Sequence, residues 1–261
     1  MDDNYQVYLN RVARLTLLDA YQSGLQHIQE SPKFKLNANG IREAVPFPGY
    51  TIITTPWEEE TNNHQFYKNL QDCQQELVKK LDPEFFVPVP PESFHVTLAD
   101  LIWDDAYRHA QEKPDFDELL RSQIAQSFEV CRSNFTTDKP IRWQLLGLML
   151  RTRALGVCLA PKDDESYEQI VQLRRAIYQN HGLMGLGIEQ QYHFTAHVTL
   201  GYFGEIKPDL DAKNLSETLY DFNLRWVDAE PQELIIKRAE MRFFDDMTKY
   251  RREDSWPVLE F

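Results

Sequence analysis

Only three cysteines occur in 261 residues (Cys73, Cys131 and Cys158), far apart and without a CxxC pair. A disulfide-stapled scaffold and a cysteine zinc ladder are excluded; a reducing compartment fits, with the thiols as buried small hydrophobes. Histidine is sparse as well, with seven copies and no HExxH or HxH spacing of the kind that holds a metal. Glycine numbers ten, and its densest stretch, HGLMGLG at 181–187, has the wrong glycine order for a dinucleotide fingerprint. That stretch reads as a flexible loop. Positive charge is in deficit, with 28 Lys and Arg against 41 Asp and Glu and a formal charge of -13. Long polyanions bind through counterions displaced at basic patches, so no duplex nucleic acid is expected as a partner. A small phosphate-bearing ligand in a locally basic cleft remains compatible. There is no run of eighteen apolar residues and no basic leader before an apolar core. Neither membrane spanning nor secretion is expected, and a soluble cytoplasmic protein is the default.

Core material, by contrast, is ample: 42% of residues are hydrophobic, with 15 Phe, 12 Tyr and 5 Trp. Disorder is not a candidate. Apolar residues at spacings of three and four predict an amphipathic helix over 5–30. The turn formers of SPKFKLNANG and the rigid PFPG at 46–49 then set off residues 1–45 as a helical extension packed on the main body. A strand is predicted at 50–56, a helix at 62–81, a proline-rich exit at 82–91, a strand at SFHVTLADL and a helix at 115–131, ended by a turn at TTDKP. The second half gives strands RWQLLGLML and ALGVCLAP, a helix at 163–178, the strand HVTLGYF, a helix near 215–222 and one long strand, ELIIKRAEMRFF. Strand, helix, then HVTL appears twice, an internal duplication in outline. The predicted fold is α+β. Residues 46–261 form two pseudo-symmetric lobes, roughly 46–140 and 141–261 with strands free to swap. Each lobe is a mostly antiparallel sheet with outer helices, and the motif strands face a central groove.

The tetrapeptide His-Val-Thr-Leu, at 95–98 and again at 197–200, carries the chemistry. Composition alone gives an expectation of about 0.002 copies per chain of this length, so two copies are a specific signal. Strand alternation puts His95 and Thr97 on one face and Val96 and Leu98 on the other, and likewise His197 and Thr199 against Val198 and Leu200. Valine and leucine bury under helices. Two imidazoles and two hydroxyls are left to converge across a groove. Such a set suits phosphate esters: one neutral imidazole takes a proton from water while a charged one gives a proton to the leaving oxygen. The hydroxyls can bond the non-bridging oxygens. No metal and no cofactor is required.

On these paired motifs the chain resembles the 2H phosphoesterase superfamily, over roughly residues 50–245, and specifically a less characterised branch of it. The resemblance implies hydrolysis of a cyclic phosphodiester, in a 2′,3′-cyclic nucleotide or at an RNA end, with a 2′-phosphate product. It implies His95 and His197 as the catalytic pair and Thr97 and Thr199 as phosphate clamps. Members more often use the second motif's histidine as base, here His197, leaving His95 as acid; the sequence itself is symmetric. The longer leading extension and the insert over 101–142 depart from the small members and leave the substrate open.

Further candidates have two readings each. Phe203 shares the phase of His197 and either stacks a base at the groove mouth or packs as ordinary core. Arg151 and Arg153, flanking Thr152, either bind phosphate bidentately or solvate a hairpin tip. His193 either joins the His197 face or merely leads into the strand. Trp256 suggests that the charged tail RREDSWP docks. Two functional alternatives stand beside hydrolysis of a nucleotide: a phosphate-binding module without turnover, and a hydrolase of a non-nucleotide phosphodiester. Oligomeric state is open.

Overall fold

The computed structural model describes residues 2–134, 140–227 and 232–261; the TTDKP turn lies outside the described residues, apart from Pro140. The N-terminal stretch forms two helices rather than one, α1 (Tyr5–Arg14) and α2 (Leu18–Leu25), with Leu17 extended between them. Asn4 caps α1 by accepting from the Val7 amide. The break lets two buried tyrosines reach different strands of one sheet: Tyr8 donates to the Leu159 carbonyl and Tyr21 to the Leu148 carbonyl. The turn-rich segment that follows is a short hairpin, β1 (Phe34–Leu36) with β2 (Arg42–Ala44).

Two five-stranded antiparallel sheets make up the rest, and the fold is α+β. The first contains β3 (Gly49–Ile53), β5 (Thr97–Trp103), β10 (Arg238–Asp246), β11 (Lys249–Arg251) and β12 (Val258–Glu260). The second runs β4 (Phe86–Pro88), β8 (His197–Phe203), β7 (Ala154–Pro161), β6 (Ile141–Arg151), β9 (Glu233–Ile236). Each sheet therefore borrows from the opposite end of the chain. The expected single strand ELIIKRAEMRFF is split: β9 pairs with β6 in the second sheet and β10 with β3 in the first, with Lys237 between them. Alternation alone does not show this, because both pieces keep apolar residues for their own sheet.

The outer helices α3 (His64–Lys80), α5 (Phe116–Asn134), α6 (Asp164–Tyr178) and α8 (Ala212–Val227) lie close to their predicted positions. A short helix, α4 (Asp104–Ala110), was not foreseen. The glycine-rich 181–187 stretch is a helical turn, α7 (His181–Gly185), rather than a flexible loop. Asn180 caps it by accepting from the Gly182 and Leu183 amides, and Leu183 is fully buried. Trp256 docks against Tyr50 and takes Arg121 over its ring.

Each motif strand carries an extra residue at the same place. In β5, Thr97 faces Ile53 and Ala99 faces Ile52, so Leu98 is a bulge. In β8, Thr199 faces Gly156 and Gly201 faces Leu155, so Leu200 is a bulge. A bulge inserts one residue and flips the alternation beyond it. The bulge carbonyls are gripped by side chains of helices from the opposite half of the chain. Gln74 of α3 donates to the Leu200 carbonyl at 2.7 Å, and Arg174 of α6 donates to the Leu98 carbonyl at 2.6 Å.

Candidate active site

Val96, Leu98, Val198 and Leu200 are fully buried, while His95, Thr97, His197 and Thr199 are partly exposed on the other face. All four polar side chains line one cavity of about 610 Å³ between the two motif strands, together with Arg151 and Arg153. The imidazoles are held identically. His95 Nδ1 lies 2.7 Å from the Ser93 carbonyl, and His197 Nδ1 lies 2.7 Å from the Thr195 carbonyl. A carbonyl only accepts, so each Nδ1 carries the hydrogen and each Nε2 keeps its lone pair for the cavity. Arg11 of α1 supports the second of these contacts by donating to the Thr195 hydroxyl and the Phe194 carbonyl. Neither Thr97 nor Thr199 hydroxyl has a hydrogen-bond partner among the described residues, so both are available to a ligand.

The two histidines differ in their neighbours. Arg151 places Nη1 3.3 Å from His197 Nε2, and a guanidinium can only donate. Burial first, and Arg151 second, push His197 down to about 3, with His95 and Lys33 adding to the effect against the Thr195 carbonyl. Burial pushes His95 down to about 4, opposed by the Ser93 carbonyl and helped by Arg242. Tyr250 packs its ring edge-on to His95 at 4.2 Å between centroids. Buried Arg242 anchors that strand by donating to the Tyr250 carbonyl while it pairs with Glu240 and Glu59.

Folded values below the ordinary one, roughly 6.5, mean that the unfolded chain takes up these protons first. Stability carried by the neutral imidazoles is present above about pH 6.5 and is lost as pH falls toward 4. A His95→Ala, His197→Ala double variant should therefore show a smaller drop in urea midpoint between about pH 7 and pH 5 than the parent.

Phe203 is a correction. It is 1% exposed and stacks on Phe85 in the core. The Leu200 bulge reverses the phase, so Tyr202, paired opposite Ala154, lines the cavity instead. The Leu98 bulge brings Asp100 to the corresponding place in β5. Arg153 is exposed at the cavity mouth and donates to Gln29. His193 stays outside the cavity, exposed and beside Asp3. The residues that alternation missed come from the extension, a loop and the short strand β11: Lys33, Tyr192 and Tyr250 also line the cavity. Tyr192 donates to the Asp100 carboxylate at 2.5 Å, joining the approach to the second motif to the first motif strand.

Among the described residues no group of three or more His, Cys, Asp or Glu side chains could hold a metal ion, and no helix is long and apolar enough to cross a membrane.

A family model described as "2H-phosphodiest: Domain of unknown function (DUF1868)" matches residues 33–148. No protein with a curated description matches in sequence. Among solved structures, a conserved protein of unknown function from Agrobacterium tumefaciens is similar at 17% identity and a TM-score of 0.61, covering 89% of this chain and 96% of that one. Escherichia coli LigT in its apo form is 12% identical with a TM-score of 0.43, covering 83% of this chain and 100% of that one. Thermus thermophilus TT0787 is 16% identical with a TM-score of 0.41, covering 74% of this chain and 86% of that one.

Proposed function

We propose, on the premise that this chain is a member of the 2H phosphoesterase superfamily, that its groove hydrolyses a 2′,3′-cyclic phosphodiester of a nucleotide or RNA end. Family and fold support phosphodiesterase-type chemistry in general. The observation that carries the finer reading is the matched pair of imidazoles. Each is locked through Nδ1 by a backbone carbonyl, and both line one cavity with threonine hydroxyls that have no partner among the described residues.

His197 is the base in this reading and His95 the acid. The Arg151 donor and the lower value favour a neutral His197. With substrate bound, Arg151 moves its hydrogen bond to a phosphate oxygen and frees Nε2. His197 Nε2 takes a proton from water, and the water oxygen bonds to phosphorus. The bond from phosphorus to the 3′ oxygen breaks, His95 gives that oxygen its proton, and a 2′-phosphate remains. Thr97 and Thr199 donate to the non-bridging oxygens, where charge builds in the transition state.

Thr97→Val and Thr199→Val each remove one such donor without changing shape, and each should lower kcat about 10²-fold with little change in melting temperature. Hydrolysis of nucleoside 2′,3′-cyclic phosphates, followed by chromatography of the monophosphate product, reads both effects.

The pH profile gives a second test. In the free groove both imidazoles are pushed to about 3 and 4, so the form with one proton is populated mainly in acid. A bound phosphodiester anion raises both values by direct charge attraction. The maximum of kcat/KM, which reports the free enzyme, should therefore lie at lower pH than the maximum of kcat, which reports the complex. Coincident maxima would contradict the assignment.

A further inference from the structure

Hydrolysis as just described leaves two features of the groove unused: its surplus of positive charge and the wall supplied by the N-terminal extension. Among the described residues Lys33, Arg151 and Arg153 all line the cavity, against one carboxylate, Asp100, in a chain of net charge -13. Asp100 is already engaged by Tyr192. Arg151 reaches His197 and belongs to the reacting phosphate. Lys33 and Arg153 stand apart from it.

The extension is fixed to this end of the groove through its backbone. The Gln29 amide donates to the Thr152 carbonyl at 2.7 Å and the Ser31 amide to the Phe203 carbonyl at 2.8 Å. Gln29 also orients Arg153, accepting from its Nη2 at 3.1 Å. Lys33 Nζ sits 4.6 Å from the Phe47 ring centre and 5.1 Å from that of Tyr202. It has no hydrogen-bond or ion-pair partner among the described residues. Burial pushes its ammonium down to about 8, with Asp100 opposing and Arg151 and Arg153 adding to the effect. A half-buried cation without a counter-ion is costly unless a ligand supplies the anion.

We propose that Lys33 and Arg153 form a second anion subsite beside the histidine pair, so that the substrate carries a second phosphate besides the phosphodiester that is cleaved. The ligand class is a nucleotide with two phosphate groups on one molecule. The second group is either the 5′-phosphomonoester of a cyclic mononucleotide or the next internucleotide phosphate of an RNA end. This rests on the reading of the groove as a phosphodiester site.

Calorimetric titration with three product-like probes tests it: adenosine 2′-monophosphate, adenosine 2′,5′-bisphosphate, and an adenylyl dinucleotide ending in a 2′-phosphate. At least one doubly phosphorylated probe should bind about tenfold or more tightly than the monophosphate. The bisphosphate arm identifies a 5′-phosphomonoester and the dinucleotide arm an internucleotide phosphate. Lys33→Met should shrink the advantage to within about threefold, and Lys33→Arg should keep it. Arg153→Gln, at an exposed position, gives the same reading should Lys33→Met fail to fold. Equal affinity for all three probes, no binding of any, or an advantage untouched by both substitutions overturns the proposal. Cyclic phosphate hydrolysis, assayed in parallel, judges the preceding section separately. Hydrolysis without the advantage sinks only the subsite; the advantage without hydrolysis sinks only the reaction.

Discussion

Replacing His95 or His197 by alanine should lower kcat on a nucleoside 2′,3′-cyclic phosphate by about 10²–10⁴-fold, the range set by a positioned proton-transfer group. The fold should survive both changes, because each imidazole sits at the cavity wall and not in the packed layer formed by Val96, Leu98, Val198 and Leu200. The two variants separate on an activated substrate. A 4-nitrophenyl phosphodiester has a leaving group that needs no proton, so His95→Ala should recover most of its rate there while His197→Ala stays slow. Recovery by His197→Ala instead would exchange the acid and the base. Parent-like rates from both variants on the cyclic substrate would remove the catalytic reading. Tight binding of a cyclic nucleotide by the parent protein, without product, would turn the groove into a binding module.

The second large effect concerns Arg174. Its side chain is 3% exposed and pairs with Asp2, which is 2% exposed, at 2.6 Å. The same guanidinium holds the bulge carbonyl of Leu98 and lies over the rings of Phe194 and Tyr178. Asp2 in turn accepts from Gln190 and from the Phe194 amide. Arg174→Met keeps the volume of the stem but takes the cationic partner from the buried Asp2 carboxylate and the side-chain donor from the buried Leu98 carbonyl. Breaking a buried pair from one side costs about 3–5 kcal/mol. In a chain of this size, each kcal/mol lowers the melting temperature by about 2–4 °C, so a fall on the order of 10 °C is expected. Calorimetry measures it. Asp2→Asn, which still accepts at one oxygen, should lose less. A melting temperature for Arg174→Met within about 2 °C of the parent would show that the pair contributes little net stability.

Much of the frame was legible because it depends on local periodicity. The helices α3, α5 and α6 follow from apolar spacing, and the two HVTL strands follow from a repeated tetrapeptide with a clear alternation. Most sites of failure share a physical cause: they depend on partners distant in the chain. The phase error at Phe203 comes from a bulge whose carbonyl is held by Gln74, 126 residues away. Nothing inside HVTLGYF announces it. Lys237 shows no breaker residue, yet the strand changes sheets there because β6 and β3 compete for its two ends. Asn180 does announce α7, as a cap before a short apolar run, but the glycines obscured it. Lys33 carried no signal, since a lone lysine in a turn-rich segment is ordinarily solvated. Its place in the cavity arises from the way the extension is pinned to Thr152 and Phe203.

The exchange of strands between the sheets has a consequence for any attempt to dissect the molecule. A fragment ending before β6 would keep the first histidine but lack β10, the central partner of β3, and would carry β4 as an orphan ribbon. The complementary fragment would hold the second histidine yet miss the glutamine that pins its bulge. Each piece alone would expose unpaired backbone and invite aggregation, so the two should regain solubility and shape only when synthesised side by side in one cell.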